Sequence, residues 1–200
     1  MLKSLELRNF RGFKEHRVEF SSFSLLIGQN NAGKTTLIEA LRIVALAQAK
    51  AASANFVMAP ESINREVTGP VFRVSLSAIG FEYESVHHRY ESDSPAVIVA
   101  KLTNNCSVTV VIGDEPSIVF CQLTEPRSKK VNNRNQSSNP KFGQILVMPP
   151  IGHLLIHESP ISEDYLRKST VGYRAHRHLR NHMHKNPHEF LIFKSVIEDS

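Results

Sequence analysis

No stretch of the chain holds the roughly 18 to 20 consecutive apolar residues that a membrane-spanning helix requires. The N-terminal "MLKSLELRNFRGFKEH" alternates apolar and charged residues where a secretory leader would carry an apolar core. The expectation is a cytoplasmic protein without membrane contact. Cysteine is scarce, with only Cys106 and Cys121, each in a β-branched apolar run. A disulfide-held scaffold is therefore excluded. The two read as buried thiols of a reducing compartment, with a disulfide left open should their strands pair. There is no internal repeat, no Ser-His-Asp or Cys-His grouping at a supporting spacing, and no carboxylate cluster of the kind a nuclease uses.

What is present is ordinary globular composition. Of 200 residues, 41% are hydrophobic and 22% charged, which supports one real core, with or without an insertion. The net charge of +5 tolerates a nucleic-acid partner without requiring one.

Along the chain, Leu2, Leu5, Leu7 and Phe10 suggest a strand and "HRVEF" (16–20) a second, with Gly12 in the turn between them. "FSLLI" (23–27) reads as a third, more uniformly apolar strand of a sheet centre. From Lys34 the apolar period becomes helical, through Leu37, Ile38, Leu41, Val44 and Ala45 to about residue 50. Residues 51–70 read as a connection. Residues 71–123 hold four β-rich runs without intervening helices, which predicts an antiparallel meander. Residues 124–140 are polar and basic, with Glu125 as the sole acid, and read as a mobile loop. "QILVM" suggests a short strand, and the tail from 151 reads as helical and basic. The expected divisions are thus 1–50, 51–150 and 151–200.

At the seam between the third strand and the helix stands "GQNNAGKTT", which fits G-x-x-x-x-G-K-[ST] at Gly28, Gly33, Lys34 and Thr35. Polyphosphate oxygens must come close to main-chain amides, and glycine allows both the approach and the backbone angles of an anion-binding nest. The helix that begins near Lys34 turns its unpaired amides and positive dipole end toward the same place. In such a loop the Lys34 ammonium bridges the β- and γ-phosphates and the Thr35 hydroxyl ligates Mg²⁺. The expected ligands are ATP and Mg²⁺, with Gly28, Gln29, Asn30, Asn31, Ala32, Gly33, Lys34, Thr35 and Thr36 as the binding residues.

"LKSLELRNFRGFKEHRVEF" followed at once by "SLLIGQNNAGKTTLIEAL" resembles the N-terminal ATPase lobe of the SMC/RecF/OLD group of ABC-type ATPases. In that group an "L-x-L-x-N-F-R" strand precedes the Walker A loop. Residues 1–45 carry the resemblance, and the pair Asn30–Asn31 is closest to OLD-like and related bacterial AAA-type members. The resemblance implies an α/β P-loop head with leading antiparallel strands, a β-rich subdomain and a helical C-terminal part. It implies that Asn30 orients phosphate or attacking water. It also implies that Arg11 reaches nucleotide or DNA, against its plain reading as a solvated hairpin arginine, and that Gln144 is the glutamine sensing the γ-phosphate and Mg²⁺. Heads of this group close in pairs around two nucleotides, so a homodimer of heads or a partner protein is implied, with DNA as a further partner.

The sequence also departs from that group. No "SGG"-like signature occurs. "TVVIGDEPS" (109–117) imitates a Walker B strand with Asp114 and Glu115 as its carboxylates, but Gly113 interrupts the run and "SIVFCQL" follows as the return arm of a hairpin. The expectation is the N-terminal part of a longer ATPase in DNA maintenance or phage defence. The alternative is a truncated regulator that binds nucleotide or a protein without turnover. A GTPase or kinase of the wider P-loop class is disfavoured by the N-terminal "LRNFRG" and by the lack of an "NKxD"-type reader. The histidines of 176–188 (His176, His178, His182, His184, His188) read as a solvated basic helix, with nucleic acid or an acidic partner as the next reading and zinc as the last.

Overall fold

A computed structural model describes residues 1–79, 85–90, 94–115, 117–137, 140–142, 145, 147, 160–162, 179–188, 190–191 and 194. Met1–Ser77 with Phe81–Val147 form one compact unit, and Ala78–Gly80 with Met148–Ser200 a second.

The first unit is built on one antiparallel sheet. Its strands are β1 (Leu2–Phe10), β2 (Phe13–Glu19), β3 (Phe56–Met58), β4 (Pro70–Ser75), β5 (Ala96–Leu102), β6 (Ser107–Ile112), β7 (Ile118–Glu125) and β8 (Lys129–Lys130). The order across the sheet is β2-β1-β5-β6-β7-β4-β3, with β8 added to β7. The β1–β2 hairpin and the β5–β6–β7 meander follow from sequence as expected. The adjacency of β1 to β5 and of β4 to β7 joins segments far apart in the chain, so the leading hairpin and the β-rich middle share one sheet.

The register explains the core. Leu7 faces Ile98, Ile98 faces Val110, Val110 faces Cys121 and Cys121 faces Phe72. Directly paired residues project to the same side, and every member of this row is fully buried. On the other side, Val97 and Val111 pack with Val71, Ile63 and Val67. The Arg73 guanidinium stacks 5.4 Å over the Phe120 ring, and Arg8 reaches Glu66 at 2.7 Å. This leaves the first row for helix α1 (Lys34–Ala51), which runs across β4, β5 and β6. The buried residues of α1, Leu37, Ala40, Val44, Ala47 and Ala51 among them, recur at helical spacing and form the stripe that meets the sheet.

Three expectations change. The apolar run Phe23–Ile27 is not a sheet strand: residues 24–29 have no secondary structure. Phe23, Leu25 and Ile27 stand 81%, 70% and 84% exposed. Composition alone had placed this run at a sheet centre, but β1 is paired on its two sides by β2 and β5, and the strand order closes without the run. The connection 51–70 contains a short edge strand, β3. The basic stretch 124–140 continues β7 and folds back as β8, then forms a one-turn helix, α2 (Arg134–Ser137), tied to α1 by Ser137 Oγ donating to the Ala51 carbonyl at 2.8 Å. "QILVM" lies largely outside the described residues.

In the second unit a helix α3 (Leu179–Lys185) accepts the Ile161 N–H on Asn181 Oδ1 at 3.0 Å, and Lys185 Nζ donates to the Ile161 carbonyl at 2.6 Å. The remaining helical expectations of the tail lie largely outside the described residues. Among the described residues, no helix is long and apolar enough to cross a membrane.

Cys106 and Cys121 are free and buried. Burial pushes both thiols above their ordinary range, and for Cys106 the Glu125 carboxylate adds to it. Since the thiolate is the reactive form, iodoacetamide at mildly alkaline pH should leave both thiols unmodified over a period that labels both fully in urea. Rapid labelling of either in the folded protein would contradict this packing.

Candidate functional site

The segment between the exposed run and α1 bends back on itself. Asn31 and Gly33 adopt positive φ, 66° and 86°, on either side of Ala32. The Ala32 N–H donates to the Gln29 carbonyl at 3.2 Å. A Cβ on Gly28 would stand 3.2 Å from that of Ala32, which shows how tightly the curl closes. Left-handed residues on either side of Ala32 give the alternating backbone from which an anion nest is built.

Gly33 is required twice. Its left-handed φ strains any residue with a side chain. A Cβ there would also overlap the Phe13 ring, with Cε2 only 2.9 Å away. Gly33 caps α1 without any side-chain hydrogen bond, and no acid stands in the first helical turn. Among the described residues, neither a capping side chain nor a first-turn acid meets the amides and dipole end of this 18-residue helix.

Lys34 is the first residue of α1, and its Nζ donates to the carbonyls of Gly28 and Gln29, both at 2.7 Å. These bonds tie the ammonium across the mouth of its own loop. Because an ammonium has three N–H groups, one remains for a further acceptor. Gln29, Asn30, Asn31 and Thr35 are exposed beside it, and Thr36 is half-buried. The residues present fit a polyphosphate: glycine where the chain is left-handed, an uncapped helix start, a held cation and a hydroxyl.

Arg11 sits in the β1–β2 turn with φ 49°. It is not a solvated arginine. Its Nε lies 2.9 Å from Glu39 Oε2 on α1, its Nη1 donates to Ser85 Oγ at 3.1 Å, and its backbone N–H donates to the Val86 carbonyl at 2.6 Å. It fastens the hairpin to the helix that carries the loop. Sequence reasoning had no signal for this tether, nor for the contact of Phe13 with Gly33, since both join residues distant in the chain.

The other candidates lie far from the loop in sequence. Asp114 and Glu115 are exposed in the connection between β6 and β7, which pair antiparallel as a hairpin. Gln144 lies outside the described residues; its neighbours Phe142 and Ile145 are bonded to Gln48 of α1 through the Gln48 amide, each at 2.9 Å. His176 and His178 also lie outside. No group of His, Cys, Asp or Glu among the described residues could hold a metal ion.

A family model described as the AAA ATPase domain matches residues 1–142, which takes in the whole sheet, the loop and α1. The chain belongs to this AAA ATPase domain family. It is similar to the DNA replication and repair protein RecF of Oenococcus oeni, 48% identical over 48 residues, or 24% of this chain and 13% of that protein. RecF of Lactococcus lactis is 41% identical over 46 residues, 22% of this chain and 13% of the relative. An ATP/GTP phosphatase of Helicobacter pylori is 43% identical over 42 residues, 20% and 11%. The matches thus span little more than a tenth of the length of these relatives. Together with the antiparallel sheet and helix α1 of the described residues, these matches are consistent with an ATPase lobe of the SMC/RecF-like kind, and an AAA ATPase domain supports nucleotide binding.

Two substitutions probe this geometry. Gly33→Ala should cost about 1 to 3 kcal/mol through backbone strain alone, read as a melting shift of about 2 to 4 °C per kcal/mol for a domain of this size. An unchanged melting temperature would contradict the Phe13 contact. A double-mutant cycle on Arg11→Ala and Glu39→Ala should return a coupling of about 1 kcal/mol, and additive effects would show that the tether carries nothing.

Proposed function

We propose that the chain binds ATP as its Mg²⁺ complex through Gly28–Thr36, a Walker A loop, as the nucleotide-binding lobe of a RecF/SMC-like ATPase head serving DNA maintenance or phage defence. The observation that carries the reading is the loop itself: left-handed Asn31 and Gly33, an uncapped helix start, and Lys34 held across the mouth by two carbonyls. In this reading the main-chain amides of the loop take the β-phosphate, Lys34 bridges to the γ-phosphate, and Thr35 offers its hydroxyl to the metal. Mg²⁺ would neutralise phosphate charge there. In the same reading Asn30, an exposed loop residue, orients phosphate or water. Arg11 holds the loop through Glu39 rather than being free to reach a ligand. The similarity to RecF, a DNA replication and repair protein, supports the DNA role.

Turnover needs groups beyond the loop. Asp114 and Glu115, if they act, do so from a hairpin connection; Glu115→Gln leaving a measured ATPase rate unchanged would remove them. A second reading, a nucleotide binder without turnover of its own, draws support from the exposed run. Leu25, Leu26 and Ile27 make no hydrogen bond among the described residues, and large apolar side chains there face water. An apolar, unpaired segment leading directly into the loop is an edge open to a further strand. In this proposal that strand comes from the remainder of an ATPase head, in the same polypeptide or a partner, and brings the hydrolytic groups with it.

A fluorescent ATP analogue with Mg²⁺ should bind the chain, and Lys34→Ala should weaken it at least tenfold, about 1.4 kcal/mol. Equal affinities would defeat the nucleotide assignment. Ile27→Lys should change the stability of the 200-residue chain by no more than about 0.5 kcal/mol, as for an exposed position. The same substitution should abolish any association with a completing partner, followed by sedimentation. A large loss of stability would show that the run is already paired.

A further inference from the structure

The positive charge of this chain is concentrated in one place. Lysine and arginine number 24 against 19 acids, a net of +5, and positions 125–141 alone hold five cations against one acid. The cations are Arg127, Lys129, Lys130, Arg134 and Lys141, and the acid is Glu125. Glu125 is only 13% exposed and lies 3.7 Å from Lys129 and 3.8 Å from Lys141, so one carboxylate answers two ammoniums. Arg134 donates to the Ala54 carbonyl at 3.0 Å and Lys130 to Thr68 Oγ1 at 2.6 Å. Neutral acceptors of this kind position a charge without cancelling it. The turn between β7 and β8 is strained as well, since Arg127 and Ser128 both adopt positive φ, 63° and 59°. Glycine or asparagine meets that demand with least strain. Here the turn holds an exposed arginine instead.

We propose that this face, from Arg127 to Arg134 with Lys141, grips the sugar-phosphate backbone of duplex DNA at a site separate from the nucleotide loop. Phosphate contacts require cations and hydrogen-bond donors but no apolar anchor. The side chains that accompany the cations are the exposed amides of Asn132, Asn133 and Asn135, while Val131 is buried. A protein or membrane surface would be met by exposed aromatic or branched aliphatic side chains, and the described residues 126–137 present none. Single strands are held largely by stacking on aromatic rings, which are lacking here too, so the duplex fits best. The α2 end of this face is tied to Ala51 at the C-terminal end of α1, whereas the loop stands at Lys34, about 27 Å away along the helix axis. DNA and nucleotide therefore do not compete for one surface. The inference rests on the DNA role proposed above for the identity of the partner, and it is independent of the loop.

The test measures binding of a labelled DNA duplex to the full chain without nucleotide, as a function of salt. One variant carries Arg127→Gly, Lys129→Gln and Lys141→Gln. Its control carries Lys3→Gln, Lys14→Gln and Arg65→Gln, exposed cations elsewhere that remove the same charge. The first should make the slope of log affinity against log salt shallower by about 2 to 3, and the control by less than about 1. Equal losses would assign the attraction to overall charge, and no loss in either would leave the face without a role; both overturn the site. Arg127→Gly alone should weaken the duplex yet melt no lower than the unaltered chain, because glycine relieves the left-handed strain. A lower melting temperature with unchanged affinity would show that Arg127 serves the fold only and overturn its place in the site. Lys34→Ala should bind the duplex as the unaltered chain does; a loss as large as that of the hairpin variant would move the contact to the loop and overturn the proposal. Tighter binding of a single strand or of polyglutamate than of the duplex would overturn the assigned partner. If no duplex binds while the ATP analogue still binds through Lys34, the DNA site falls and the nucleotide reading stands.

Discussion

The contact of the Phe13 ring with the bare Cα of Gly33 is the constraint on which the rest depends. It joins the first hairpin to the start of α1 at a residue that must also be left-handed. No other residue type satisfies both demands: alanine would be strained at φ 86° and would meet the ring. Beside it, Arg11 and Glu39 tie the same hairpin to the same helix. A loop that must offer amides to an anion gains from being fixed before the anion arrives, because its ordering is then complete in the free protein. The hairpin thus acts as the template on which the loop is shaped.

The sheet gives that template its rigidity. A hairpin of two strands is marginal in water, and β1 is held by pairing with β5 on its inner side. β5 in turn leads through β6 and β7 to β4, with one row of fully buried side chains from Leu7 to Phe72. Helix α1 covers this row with a stripe of small and branched residues, so helix and hairpin meet the same core. The exception is the run Phe23–Ile27, which has the composition of a buried strand and the exposure of a loop. Among the described residues, neither the sheet nor the core covers its large side chains.

Much of this was legible in the residues. The hairpin around Gly12, the helix from Lys34, and the three-strand meander of β5 to β7 depend on period and turn chemistry within short windows, and they came out with nearly their expected limits. The curl at 28–33 and the helix start behind it were legible for the same reason, since their glycines and lysine lie within a few consecutive positions. Reading Phe23–Ile27 as a central strand failed because an apolar run states what a segment would prefer to bury, while pairing requires a neighbour. The edge strand β3 and the short hairpin to β8 were missed because each is only two or three residues long and polar or mixed in composition. Arg11 looked like a solvated turn residue because its partner lies on a helix 28 positions further along.

By itself, then, the sequence determined the local structure: where the chain turns, where it coils, and where glycines and a lysine curl it into the start of a helix. These are fixed by backbone angles and spacing that act over a few residues. Tertiary structure alone decided that β1 lies beside β5, that Phe13 closes on Gly33, and that an apolar run is left in water. Those outcomes depend on which distant segments share a sheet and in what register, and no short-range preference specifies either.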